Sequence, residues 1–278
     1  MKQGQSNLEA DMQKRISVMS NSGGVGKTTL AINLAYQLSR LGKTVALFGC
    51  DPNGSLTLFC GLDDPPDDQT LDVVLRPDFK GAYPLFSAWP DRIKGVDCCL
   101  GGLVLSKTAI RLVNETRGEY LLADKLEDYP LPHDVLIFDC PGTIEQMHTI
   151  ALAASTHAIL TIKPEDKDVD ALAKLIEWFY EKRDALRLKP TPEILGLVPN
   201  GFKDRAMHRD NLGTGSDPKR VSLYDIMEHL GINVFPVIKD QAHIANAGAN
   251  GLPLGIFRPG EGANAIYTQI AETISKEN

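Results

Sequence analysis

Two periods of apolar residues alternate along this chain. Short, largely apolar runs read as buried strands: Ile16-Ser-Val-Met19, Thr44-Val-Ala-Leu-Phe48, Asp134-Val-Leu-Ile-Phe-Asp139, His157-Ala-Ile-Leu-Thr-Ile162 and Glu193-Ile-Leu-Gly-Leu-Val198. Between them the spacing changes to that of helices. Leu30, Ala31, Leu34, Ala35, Leu38 and Leu41 form one such set, with Gly42 placed to cap its C-terminus. Val169, Leu172, Leu175, Ile176 and Phe179 form a second, and Ile266, Ile270 and Ile274 a third. Val96 to Leu100 reads as a further strand, Ile232 to Ile238 as the last one, and Leu71–Leu75 and Leu121–Leu126 as short helices. Strand–helix alternation of this kind predicts an α/β fold, a mainly parallel twisted sheet with helices on both faces. Residues 1–14 are polar and aperiodic and read as an extension; 15–278 show no linker or repeat and read as one domain.

The pattern acquires chemistry where the first strand gives way to the first helix. Asn21-Ser-Gly-Gly-Val-Gly-Lys-Thr-Thr29 is a glycine-rich turn that opens a helix with Lys-Thr, the layout of a phosphate-binding loop. Backbone N–H groups can converge on phosphate oxygens only where side chains are absent, as at Gly23, Gly24 and Gly26. The helix N-terminus adds unpaired donors and a positive dipole end. Ser22, Val25 and Thr29 complete this cradle; Lys27 can reach the β/γ-phosphates, and the Thr28 hydroxyl can ligate Mg²⁺. Two acids lie where an open α/β sheet puts its ligands, at the C-terminal ends of strands. Asp139 closes an apolar strand, which suits an acid that orders water around Mg²⁺. Asp51 follows the strand ending at Phe48, in Gly49-Cys-Asp-Pro-Asn-Gly54.

Charge and cysteine usage narrow the function classes. The formal net charge of −7 disfavours a generic nucleic-acid binder. The balance is uneven, however: nine lysines and arginines stand against five acids between Lys182 and Arg220. Five cysteines without a C-x-x-C pair argue against a disulfide framework or zinc knuckle, and Cys98-Cys99 reads as small buried hydrophobes. Scattered histidines offer no metal pairing, so Mg²⁺ with the nucleotide is the one metal expected. No apolar run reaches the eighteen or so residues of a membrane span and the N-terminus lacks a signal core, which predicts a cytoplasmic protein.

These residues resemble the ParA/MinD group of P-loop ATPases. Ser22-Gly-Gly-Val-Gly-Lys-Thr-Thr29 is similar to that group's deviant Walker A box, Asp51-Pro-Asn-Gly54 to its switch aspartate segment, and Phe138-Asp-Cys-Pro-Gly142 to its Walker B. Asn200 resembles the adenine-reading asparagine, and the stretch from Phe235-Pro236-Val-Ile238 to Gly251-Leu-Pro253 the nucleotide-facing C-terminal segment. The resemblance implies ATP and Mg²⁺ as cofactors, with Thr28, Asp51 and Asp139 around the metal and Asp51 orienting the attacking water. It also implies a homodimer closed face to face over two nucleotides, non-specific DNA binding in the ATP state, and a cargo recognised through a small adaptor protein. The C-terminal residues from Ile270 lack the basic face of the membrane-binding MinD branch, so no membrane partner is expected and the protein is placed at the nucleoid.

Three positions depart from the group. Ser22 stands where the signature lysine is usual, Gly49 replaces the first aspartate of Asp-x-Asp-Pro, and Asn53 replaces the glutamine. Serine at the first of these resembles the cyanobacterial McdA proteins that distribute carboxysomes, with plasmid or chromosome partition as the alternative. A sandwich without that lysine needs another cation at the C-terminal edge of the sheet. Lys163, at a strand end before Pro164, is the first choice and Lys167 the second; the alternative is a plain surface lysine. Lys203, Arg205, Arg209, Lys219 and Arg220 are the DNA-binding set, against the alternative of a solvated face. From another class, a metabolic P-loop synthetase would need a small-acid pocket beside the γ-phosphate, and an iron–sulfur electron carrier would need bridging cysteine pairs.

Overall fold

The structure, a computed structural model, describes residues 13–216 and 221–276. Strands β1 (Lys14–Met19), β2 (Val45–Gly49), β3 (Leu85–Ser87), β4 (Val96–Cys99), β5 (Val135–Asp139), β6 (His157–Ile162) and β7 (Glu193–Pro199) form one sheet in the order β3-β4-β2-β5-β1-β6-β7. All neighbours are parallel except β3, which runs antiparallel to β4. The helices are α1 (Lys27–Arg40), α2 (Ser55–Phe59), α3 (Leu71–Val74), α4 (Val104–Val113), α5 (Leu121–Asp128), α6 (Gln146–Ala153), α7 (Asp166–Leu186), α8 (Ala206–Asn211), α9 (Leu223–His229), α10 (Ala242–Ala249), α11 (Leu254–Phe257) and α12 (Ala263–Lys276).

Strand alternation divides the core in two. Ile16, Val18, Leu47 and Ile137 face α1 and α12, where Leu30, Leu34 and Leu38 meet Tyr267, Ile270 and Ile274. Phe48, Phe138, Met19 and Leu160 face the other way, onto Leu105, Leu122, Met147, Leu172 and Leu175. Burial on both faces explains why the strands read as near-continuous apolar runs.

Register then places the acids. Asp139 pairs with Val18 on one side and Gly49 on the other. The residues that follow β1, β2 and β5 therefore leave the sheet side by side: the glycine-rich turn, the Asp51 turn and the loop after Asp139. The parallel strand order reverses direction around β1 and β5, where open sheets hold their ligands.

Two expectations are corrected. Lys14, assigned to the N-terminal extension, is already in β1, because its N–H donates to Asp134 O at 3.0 Å. Ile232–Ile238 is not a strand. It touches the sheet through one isolated bridge, Leu197 with Val234, a second bridge joins Phe202 to Lys239 just beyond, and Pro236 has no N–H with which to continue a ladder.

Candidate functional site

The glycine-rich turn wraps the start of α1. Gly26 has φ of +97°, a left-handed conformation open to glycine, and a Cβ there would collide with the Asn200 side chain. Asn200 Nδ2 in turn donates to Val25 O at 2.7 Å, so the asparagine lies across the loop. The loop after Asp139 passes equally close, since a Cβ on Gly142 would sit 3.2 Å from Gly23 Cα. Lys27 is buried, and its ammonium donates to Ser20 Oγ at 2.8 Å and Ser22 O at 3.1 Å. Burial lowers the Lys27 pKa, while the Asp139 charge works against that shift.

Thr28 Oγ1 donates to Asp139 Oδ2 at 2.7 Å. The other carboxylate oxygen, Oδ1, is buried without a hydrogen-bond partner. Burial raises Asp139 to about 7; the Thr28 bond and Lys27 pull it down, and Asp51 adds to the rise. A hydroxyl and an orphaned carboxylate oxygen beside a buried lysine are the donor set a Mg²⁺–nucleotide pair requires, so the residues fit the ion. Asp51 stands at the mouth, with Oδ1 accepting the Asn53 N–H at 2.9 Å.

A cavity of about 310 Å³ opens over this constellation. It is lined by Gly23, Gly24, Gly26, Lys27, Thr28 and Thr29 of the loop, by Asp51 and Asn53, and by Gly142. Ser55 and Phe59 of α2 also line it, and the sequence offered no signal for either. The remaining expected residues are not among those that line it. Ser22 and Val25 contribute backbone carbonyls, Asn200 crosses the loop, and Pro236 is exposed on its extended segment. Lys163 lays its stem against Gly201, next to Asn200, and its ammonium has no ion-pair partner among the described residues.

The basic set is different in kind. Lys203 pairs with Asp240 at 3.2 Å, Arg205 with Glu165 at 3.0 Å, and Arg209 with Asp204. Lys219 and Arg220 lie outside the described residues. All five cysteines are free and buried, and for Cys98 and Cys99 this accords with their reading as small buried hydrophobes. Among the described residues no helix is long and apolar enough to cross a membrane.

Sheet order, glycine-rich loop, Lys27, Thr28 and Asp139 together define a P-loop ATPase fold and site. The family model described as "AAA domain" matches residues 13–189, and the chain belongs to that family, among the P-loop ATPases of ParA/MinD type. It is 26% identical over 275 residues to the chromosome partitioning protein ParA of Caulobacter vibrioides, covering 97% of each chain. Its fold is similar to that of apo McdA from Cyanothece, with a TM-score of 0.80 and 21% identity over 95% of this chain and 99% of the other. It is also similar to cobyrinic acid a,c-diamide synthase from Mycobacterium smegmatis with bound ADP and magnesium, at TM-score 0.72 and 22% identity, covering 94% and 93%.

Proposed function

We propose that this chain is an ATP hydrolase of the positioning kind: it closes into a face-to-face homodimer over ATP and Mg²⁺, binds DNA without sequence preference in that state, and is reset when a cargo-borne adaptor stimulates hydrolysis. The observation that carries the ATPase reading is the Thr28–Asp139 hydrogen bond with Asp139 Oδ1 left unpartnered beside Lys27. Thr28 and Asp139 would hold the ion, directly or through water, and Mg²⁺ when bound would offset charge on the β/γ-phosphate oxygens. Asp51, at the mouth of the cavity, is the acid free to orient the attacking water.

Carboxysomes are the cargo we favour, supported by Ser22 in place of the signature lysine and by the fold likeness to McdA. Partition of a plasmid or chromosome is the alternative, supported by the ParA relative. The same fold serves an amide-forming synthase, so the reading needs a test that separates them. Purified protein should hydrolyse ATP with DNA and no added metabolite. Lys27→Ala should weaken ATP binding by roughly 10- to 150-fold, the value of a charge-assisted hydrogen bond of about 1.5–3 kcal/mol. Asp51→Ala should keep ATP binding and lose turnover by roughly 100-fold or more. Turnover that depends on a small carboxylic acid substrate, or wild-type turnover in Asp51→Ala, would overturn the assignment.

A further inference from the structure

Beneath the phosphate-binding loop lies a group that neither the motifs nor the metal accounts for. His148, on α6, is fully buried, and its Nε2 is 3.3 Å from Ser20 O. A carbonyl only accepts, so Nε2 carries the proton and Nδ1 keeps a lone pair. That Nδ1 is buried without a partner, and the edge of Trp178 packs against the ring with centroids 5.9 Å apart. Burial, and secondarily the Lys27 charge, push His148 down to about 4, so the ring is neutral. A half-satisfied imidazole in an apolar bed costs stability that a leucine would not, so its donor needs an explanation outside packing.

The explanation is the partner of its partner. Ser20 Oγ and Ser22 O share the Lys27 ammonium, and Ser20 Oγ donates in turn to Ser22 O at 2.8 Å, which puts Ser20 at the centre of the contacts that hold that charge. Asp139 is the strongest opposite charge acting on Lys27, yet the two form no ion pair among the described residues. A lysine allowed to fall onto Asp139 would consume the carboxylate oxygen that the metal needs. We propose that His148 is a positioning residue for nucleotide binding: by fixing the Ser20 carbonyl it aims the Ser20 hydroxyl at Lys27 and holds the ammonium off Asp139. A second tie acts on the next residue, where Asn21 Oδ1 accepts the Ile144 N–H at 3.3 Å, so the whole start of the loop is braced by the segment after Asp139.

This inference rests on the ATPase reading, and binding of Mg²⁺–ATP by the wild-type chain tests that reading first. Given such binding, His148→Leu should keep or raise the melting temperature while ATP affinity falls roughly three- to tenfold, the value of one neutral hydrogen bond. The Mg²⁺ concentration for half-maximal ATP binding should rise with it. Ser20→Ala should show the same two changes, and His148→Leu combined with Ser20→Ala should add little, because both act through one contact. His148→Gln, which retains a side-chain N–H donor, should recover affinity to within about twofold. Unchanged Mg²⁺ dependence in a folded His148→Leu, additive losses in the double variant, or a Gln variant as weak as the Leu variant would each overturn the proposal.

Discussion

Two buried side chains pull the acid stability of this protein in opposite directions. Asp139 rises from its ordinary 3.8 to about 7, because burial disfavours its charge. Between those values the folded chain holds a proton that the unfolded chain has released, so this group's contribution to stability falls as pH rises. His148 drops from 6.5 to about 4, again through burial. Between those values the unfolded chain takes up a proton that the folded chain refuses, so its contribution falls as pH drops. The two slopes oppose each other from about pH 4 to 6.5, and each variant should unmask the other group. Relative to wild type, Asp139→Asn should lose melting temperature more steeply on acidification, and His148→Leu less steeply. Parallel pH profiles for all three proteins would contradict these environments.

At the scale of elements, legibility followed length and purpose. The turn from Asn21 to Thr29 could be read because phosphate dictates each residue: glycine where a donor must approach, lysine and threonine where charge and a ligand are needed. The strands ending at Met19, Gly49 and Asp139 could be read because both their faces are buried. Between 70 and 130 the sequence showed the helices α3 and α5 and the strand β4, whereas β3, of three residues, is too short for a period to develop. In α4 the inward stripe Leu105, Thr108 and Leu112 includes a polar residue that blurs it. Pro236 turned an apolar run into a lane of isolated bridges. His148 left no trace, since a lone histidine has no spacing to betray it. The basic segment showed its cations but not their partners, because Glu165 and Asp240 are distant in sequence from Arg205 and Lys203. Those pairs are at the surface, where an ion pair contributes about 0–1 kcal/mol, so phosphates can replace the carboxylates. Reversing Arg205 and Arg209 to glutamate should therefore lower DNA affinity in the ATP state and flatten its dependence on salt, as measured by titration of a labelled duplex. Unchanged affinity and slope would leave the segment as a solvated face.

In the proposed dimer, a partner protomer would close over the end of the sheet where the cavity opens. Ser22 brings no charge to that end, whereas the stem of Lys163 packs on Gly201, next to Asn200, and its ammonium has no ion-pair partner among the described residues. In the Asp51→Ala background, which should hold ATP without consuming it, Lys163→Ala should weaken ATP-dependent dimerisation while nucleotide binding persists. On the role proposed for Lys163, a cation facing phosphate charge in a water-poor interface, the loss should be at least about tenfold. Sedimentation at graded protein concentration measures it, and unchanged dimerisation would return Lys163 to the ordinary surface.

The margins of the sheet bear on what this protein does when crowded. One margin is β3, three residues long; the other is β7, flanked by a proline-bearing segment that bonds at isolated points. Long rows of unpaired backbone groups are templates for fibril-like stacking, and short or proline-guarded borders deny a neighbour that template. Neither margin therefore offers a neighbouring copy a long row of unpaired backbone groups to pair with. In the proposed cycle, association through the nucleotide-bearing end can then be undone by hydrolysis without the sheet margins holding copies together.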